Sequence, residues 1–288
     1  MLPEEILADV STLRPGLHLV EAHVEDFDVR GAVVAGRKAV VVWDTLARPE
    51  DMVGVEDLAS GLPLQIVFSH GDWDHVWGTA GLSGSWETII AHHECGDRFS
   101  SELPLILAEK RKASPGEYDN VQLVPPTHVF RDPQVLDLGG ITLELSSFPG
   151  HTPDSIVAFI PEWGVLLAGD AVETPLPFLN KGSFLGEWAR RLEEWWATLD
   201  GWDRGEEYMS QEHRSREVPV GSAAGGVVPG NSPLVIPSHG QTGGAELLLR
   251  NARYLRALQE GREPEIPDGL SPFYRETHAA NLALAREG

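Results

Sequence analysis

One cysteine, Cys95, is the whole thiol content of this 288-residue sequence. That excludes an intrachain disulfide, a cysteine-built zinc site and a CxxC redox pair, so any metal must be bound through imidazoles and carboxylates. Positive charge is scarce as well: 18 Arg and 4 Lys stand against 44 acidic residues, and the net charge is −22. A field of that sign repels phosphate backbones unless a basic patch intervenes, and the longest basic run is Lys110-Arg111-Lys112, so no nucleic-acid partner is expected. No apolar run approaches the roughly 20 residues that span a bilayer, which argues against a membrane partner. The start, Met1-Leu2-Pro3-Glu4-Glu5, lacks the basic residues and long apolar segment of an export signal, and the expected location is cytoplasmic. Also missing are a G-x-S-x-G nucleophile elbow, a phosphate-binding P-loop and a G-x-G-x-x-G fingerprint, which removes serine hydrolases, NTPases and dinucleotide enzymes.

What is present has the balance of an ordinary globular chain, 42% hydrophobic and 23% charged. Short apolar, β-branched runs bounded by Gly, Asp and Pro predict strands at 17–24, 32–35, 39–43, 64–68, 88–91, 129–130, 141–145, 156–160, 165–167 and 234–236. Polarity and length predict helices at 48–60 and 100–112. Spacings of three and four predict another at 183–199, where Leu185, Trp188, Leu192, Trp195, Trp196 and Leu199 recur and Gly201 is the expected stop. A further helix is expected at 244–260, and one in the tail with Ser271 as N-cap and Pro272 at the first helical position. Strands in two batches with helices between and after them suggest an α/β chain of two sheets covered by helices. The expected organisation is a single domain over 1–288, with an insertion at 202–231 that is too long for an ordinary connection and reads as a lid or interface arm, and a helical tail at 262–288.

The chemistry concentrates at Ile66-Val67-Phe68-Ser69-His70-Gly71-Asp72-Trp73-Asp74-His75, where an apolar strand runs into His70, Asp72, Asp74 and His75. Carboxylates and imidazoles crowded at one strand end repel one another and resist desolvation, a cost that a divalent cation reverses. The bland reading is a solvated turn in which Asp72 or Asp74 only caps a helix. Three later segments weigh against it: Pro149-Gly150-His151-Thr152, Ala168-Gly169-Asp170 and Pro237-Ser238-His239-Gly240 each put one ligand type at the end of an expected strand.

In this order the segments resemble the metallo-β-lactamase superfamily, whose pattern is H-x-H-x-D-H, then His in a G-H-[ST] turn, Asp in a G-D turn and a final His. The resemblance runs from about residue 17 to 260 and includes Val41-Val42-Trp43-Asp44-Thr45, similar to an early family strand whose Asp supports the site. It implies a four-layer αββα sandwich of two mixed β-sheets flanked by helices. It also implies a first metal held by His70, position 72 and His151, a second by Asp74, His75 and His239, and Asp170 bridging them. Zinc, as one ion or two, is the implied cofactor, with iron or manganese as alternatives. The departure is Asp72, where the family pattern has His and the flavodiiron branch has a carboxylate. Two divalent ions, three ligand aspartates and a hydroxide leave such a site neutral, whereas His at 72 would leave it one unit positive, so this site is expected to acidify water less.

The implied activity is hydrolysis of a small ester, thioester or phosphoester by a metal-bound hydroxide, with Asp74 also passing a proton to the leaving group. A small-molecule substrate is therefore the expected partner, and a homo-oligomer is left open. Two other readings stand beside it: a non-haem iron oxidoreductase, motivated by the two-His, one-carboxylate set of His70, His151 and Asp72, and a non-enzymatic module that keeps a structural metal. Trp73, inside the motif, is a candidate for lining the pocket. His92 and His93 are assigned to packing or surface, the tryptophans of 188, 195 and 196 to core, and Cys95 to core as a small hydrophobe.

Overall fold

The computed structural model describes residues 8–82, 86–203 and 232–287. The chain divides into two compact units, Met1–Arg131 with Asp137–Ile141, and Asp132–Leu136 with Thr142–Gly288.

In the first unit the apolar runs become a seven-stranded mixed sheet whose strands lie in chain order: β1 (Asp9–Arg14), β2 (Leu17–Val24), β3 (Phe27–Ala35), β4 (Val40–Trp43), β5 (Leu64–Val67), β6 (Trp86–His92) and β7 (His128–Phe130). Strands β1 to β4 pair antiparallel and β4 to β7 parallel. The Val-Val-Val-Trp of β4 is buried at every position, as a strand covered on both faces must be. Val33, Val42, Ile66, Phe68, Trp77 and Tyr118 belong to the core of this unit. After β5 the chain forms α1 (Trp73–Val76), and β6 leads into α2 (His93–Ser101) and α3 (Leu103–Ala113).

The second unit carries a five-stranded mixed sheet in the order β12, β11, β10, β9, β8, from β8 (Gln134–Asp137), β9 (Thr142–Ser147), β10 (Ile156–Ile160), β11 (Val165–Gly169) and β12 (Leu234–Pro237). β11 and β12 are parallel, so Asp170 and His239 follow neighbouring strand ends. Helix α4 (Leu185–Asp203) packs against α5 (Glu246–Gln259), and α6 (Pro272–Glu287) adds to α5. Trp188 of α4 is fully buried, donates its indole N–H to the Ala171 carbonyl at 2.8 Å, and lies against Gly150, where an added Cβ would sit 2.5 Å from the ring. A glycine next to His151 is what lets the indole approach that closely.

Three expectations are corrected. The helix expected at 48–60 is two 3-10 turns, Pro49–Met52 and Val55–Ala59, because Gly54 at φ 83 breaks the run. The helix expected at 100–112 is two helices meeting at Glu102, with Pro104 in the first turn of the second, where its missing N–H does no harm. Helix α4 passes through Gly201 to Asp203. A mid-helix glycine costs about 1 kcal/mol, which the burial of Trp202 and its hydrogen bond to the Pro161 carbonyl at 3.3 Å offset. Two short strands escaped the sequence reading. β1 is mostly exposed and β8 half-exposed, so neither shows a continuous apolar run. The tail helix starts as expected, Ser271 Oγ accepting the Tyr274 N–H at 3.3 Å. Of the insertion expected at 202–231, all beyond Asp203 lies outside the described residues. Among the described residues no helix is long and apolar enough to cross a membrane.

Trp188→Ala should cost about 3–5 kcal/mol of stability in urea unfolding, the range for truncating a buried tryptophan. Trp188→Phe should lose about 1 kcal/mol for the hydrogen bond plus a smaller packing loss. Equal losses for the two would contradict this placement of the ring.

Candidate metal centre

Because β4 and β5 are parallel neighbours, Asp44 and Ser69 leave the sheet side by side, and the Asp44 N–H donates to the Val67 carbonyl at 2.9 Å. Asp44 sits at φ 60, a left-handed conformation that Asp adopts more readily than most residues. Its buried carboxylate accepts from the Ser69 N–H at 2.6 Å, the Ser69 hydroxyl at 2.7 Å and His75 Nδ1 at 2.9 Å. A hydroxyl that donates to Asp44 has only lone pairs left for His70 Nδ1, 2.9 Å away. Both imidazoles therefore hold a proton on Nδ1, which leaves Nε2 as the nitrogen that ligates when the ring is neutral. His70 Nε2 faces Asp72 Oδ2 at 3.4 Å and His75 Nε2 faces Asp74 Oδ2 at 3.8 Å. Lone pairs set opposite carboxylate oxygens repel unless positive charge lies among them, and N and O donors of this kind fit a divalent cation. Asp72 occupies the N-cap position of α1 but makes no side-chain cap, so capping does not explain it. Its Oδ1 is held instead by Arg98 Nη2 at 2.5 Å.

The second unit repeats the logic. His151, in the turn between β9 and β10, donates Nδ1–H to the Phe178 carbonyl at 2.9 Å. A carbonyl only accepts, so here too Nε2 has the lone pair, and Asn180 Nδ2 donates to it at 3.1 Å. His151 Nε2 is 3.6 Å and His239 Nε2 3.4 Å from Asp170 Oδ2. Buried Glu173 accepts the Phe178 N–H at 2.8 Å, and so anchors the residue whose carbonyl orients His151. Burial pushes the Glu173 carboxyl up, the charge of Asp170 adds to that, and His239 and His151 work the other way.

Within the first unit the structure thus brings together His70, Asp72, Asp74 and His75, and within the second His151, Asp170 and His239. Trp73 is half-buried among Phe27, Trp77 and Tyr118, with Lys110 Nζ 3.8 Å over its ring. His92 is buried with its ring edge-on to Phe130, and Trp188, Trp195 and Cys95 are core. Sequence reasoning missed Ser69, Arg98, Glu173 and Asn180. Ser69 and Glu173 lie within three residues of a ligand and were open to suspicion; nothing local singles out Arg98 or Asn180.

The sequence profile of the metallo-beta-lactamase superfamily matches residues 29–200. Among curated proteins, an acyl-coenzyme A thioesterase MBLAC2 of Bos taurus is 30% identical over 152 residues, 48% of this chain and 53% of that protein. The Homo sapiens counterpart is 29% identical over 159 residues, 50% and 55%. The chain thus spans about half the length of these curated relatives. Among solved structures, a metallo-beta-lactamase from Pontibacter korlensis aligns with a TM-score of 0.58 at 16% identity over 86% of this chain and 99% of that one. The DIM-1 metallo-beta-lactamase aligns with a TM-score of 0.59 at 16% identity over 87% and 98%. These likenesses give the fold class, the αββα sandwich built from two mixed sheets and flanking helices.

The hydrogen bonds fix a testable tautomer. In metal-free protein, imidazole ¹⁵N NMR should find His70, His75 and His151 protonated on Nδ1. In Asp44→Asn the Ser69 N–H keeps the amide oxygen, so the amide nitrogen turns to His75 Nδ1 and to the Ser69 hydroxyl; the proton of His75 and, through the reversed hydroxyl, that of His70 should move to Nε2, while His151 keeps its own on Nδ1. Nε2 protonation of His75 in the unaltered protein would contradict the assignment.

Proposed function

This chain belongs to the metallo-β-lactamase superfamily, and from that membership we propose that it is a metal-dependent hydrolase of small thioesters whose cations are held jointly by the two ligand sets. The observation that carries the reading is that Nδ1 of His70, His75 and His151 each faces an acceptor, which turns three buried Nε2 atoms to the side where Asp72, Asp74 and Asp170 present oxygens. His70, Asp72 and His151 would hold one ion and Asp74, His75 and His239 the other, with Asp170 a carboxylate available to both. Zinc suits a set of imidazoles and carboxylates, with iron or manganese as the alternatives to be separated by elemental analysis. A divalent cation bound there supplies a water acidified to a pKa near about 7 and a Lewis acid for the carbonyl oxygen.

The chain's own residues do the rest. Asp44 holds His75 directly, and His70 through Ser69, in the ligating tautomer, and the Phe178 carbonyl does the same for His151. Asp74 takes a proton from the attacking water and delivers it to the departing thiolate, while the half-buried Trp73 offers an apolar edge to the acyl portion. The thioester class rests on the two thioesterase relatives, each matched over about half its length.

Chelator-treated protein should lose hydrolysis of a model aryl thioester and regain it with Zn²⁺, Mn²⁺ or Fe²⁺. Asp170→Ala should lower kcat/KM by more than the about 10–100-fold typical of losing a residue that only supports a ligand. Hydrolysis indifferent to chelation would sink the reading, and iron-loaded protein that consumes O₂ without cleaving thioesters would replace it with the iron oxidoreductase.

A further inference from the structure

An aspartate at position 72 brings one more negative charge to the site than the imidazole of the family pattern, and a second oxygen with which to grip a cation. The structure deals with both. Asp72 Oδ2 faces His70 Nε2 at 3.4 Å, while Oδ1 is taken by Nη2 of Arg98 at 2.5 Å. The two side chains are largely shielded, 21% and 17% exposed, so water screens the pair only in part. Arg98 stands on α2, which the end of β6 launches, and its Nε is engaged by Glu102 one turn later. With Nε tied to its own helix, Nη2 on the same edge of the guanidinium has little freedom to leave Asp72. Glu102 is 47% exposed, and its charge is correspondingly screened.

We propose that Arg98 makes Asp72 the equivalent of a neutral imidazole: one donor atom, since Oδ1 is occupied, and no net charge, since the guanidinium cancels the carboxylate. The idea rests on Asp72 being a metal ligand, as argued above. It revises the expectation that Asp72 leaves the site less able to acidify water, because the positive unit lost with the missing His is returned by Arg98. Arg98 is a positioning residue, touching neither the substrate nor the reacting atoms.

The rival account, a plain structural ion pair that ties α2 to the ligand turn, predicts the opposite sign for metal affinity. If the pair were only structural, Arg98→Met would loosen the turn and weaken cation binding. On the present account it frees Oδ1 and removes a repelling charge, so Co²⁺ should bind about tenfold more tightly or better, the size of effect one neighbouring charge has on a carboxylate's proton affinity. The visible Co²⁺ spectrum should weaken as Asp72 grips with both oxygens and coordination number rises, and kcat should fall. Asp72→His/Arg98→Met should return affinity, spectrum and kcat toward those of the parent. Should Arg98→Met not fold, Arg98→Lys serves: it keeps the charge and loses the fork, so affinity stays near the parent's while the spectrum changes. Unchanged or weaker Co²⁺ binding with an unchanged spectrum, in a folded variant, overturns the proposal. Parent protein that takes up no Co²⁺ overturns the metal reading itself, and this inference with it.

Discussion

Lone pairs and carboxylate oxygens aimed at each other inside a protein do not stay that way unless something positive lies among them. The rest of this structure answers that constraint. In the first unit the buried carboxylate of Asp44 locks two imidazoles, one directly and one through the Ser69 hydroxyl, so that His70 and His75 cannot turn their Nδ1–H toward Asp72 and Asp74 and present Nε2 there. In the second, a backbone carbonyl does the same to His151 beside Asp170. Neither arrangement is what packing alone would select, since each concentrates acceptors where a low dielectric makes repulsion expensive. Both suit a divalent cation bound among these nitrogen and oxygen donors.

The supports reach back into the sheets. Asp44 and Ser69 meet because β4 and β5 run parallel and end together, and Asp170 and His239 follow β11 and β12 for the same reason. Carboxyl ends of parallel strands are where α/β chains place their ligand-binding loops, and here each sheet contributes one parallel pair to that purpose. Asp44 at φ 60 is a local strain of the kind that persists when the surroundings over-determine it. Four hydrogen bonds to its backbone and side chain supply that determination.

How much of this could be read from the sequence follows from which signals are local. The candidate turns were legible because each sets a His or Asp within a few residues of the end of an apolar strand, often beside a glycine, and those strands are buried enough to show as apolar runs. Strands β1 and β8 were not, since sheet edges of mixed exposure carry no such pattern. The region 48–60 misled because helical polarity does not distinguish an α-helix from two 3-10 turns; Gly54 was the available clue. Arg98 was invisible because its partner lies 26 residues away and only the meeting of α2 with the β5 turn joins them. Asp72, by contrast, was noticed as a departure, and what the fold adds is the cation that compensates it.

The central proposal is that the ligand sets of the two units, His70 to His75 and His151, Asp170 and His239, would bind cations in common. Anomalous diffraction from crystals of zinc-loaded protein, collected on both sides of the zinc edge, tests it most directly. The account predicts an ion within about 2.0–2.1 Å of both His70 Nε2 and His151 Nε2. An ion bonded to residues of only one set, or no ion near either, would contradict it.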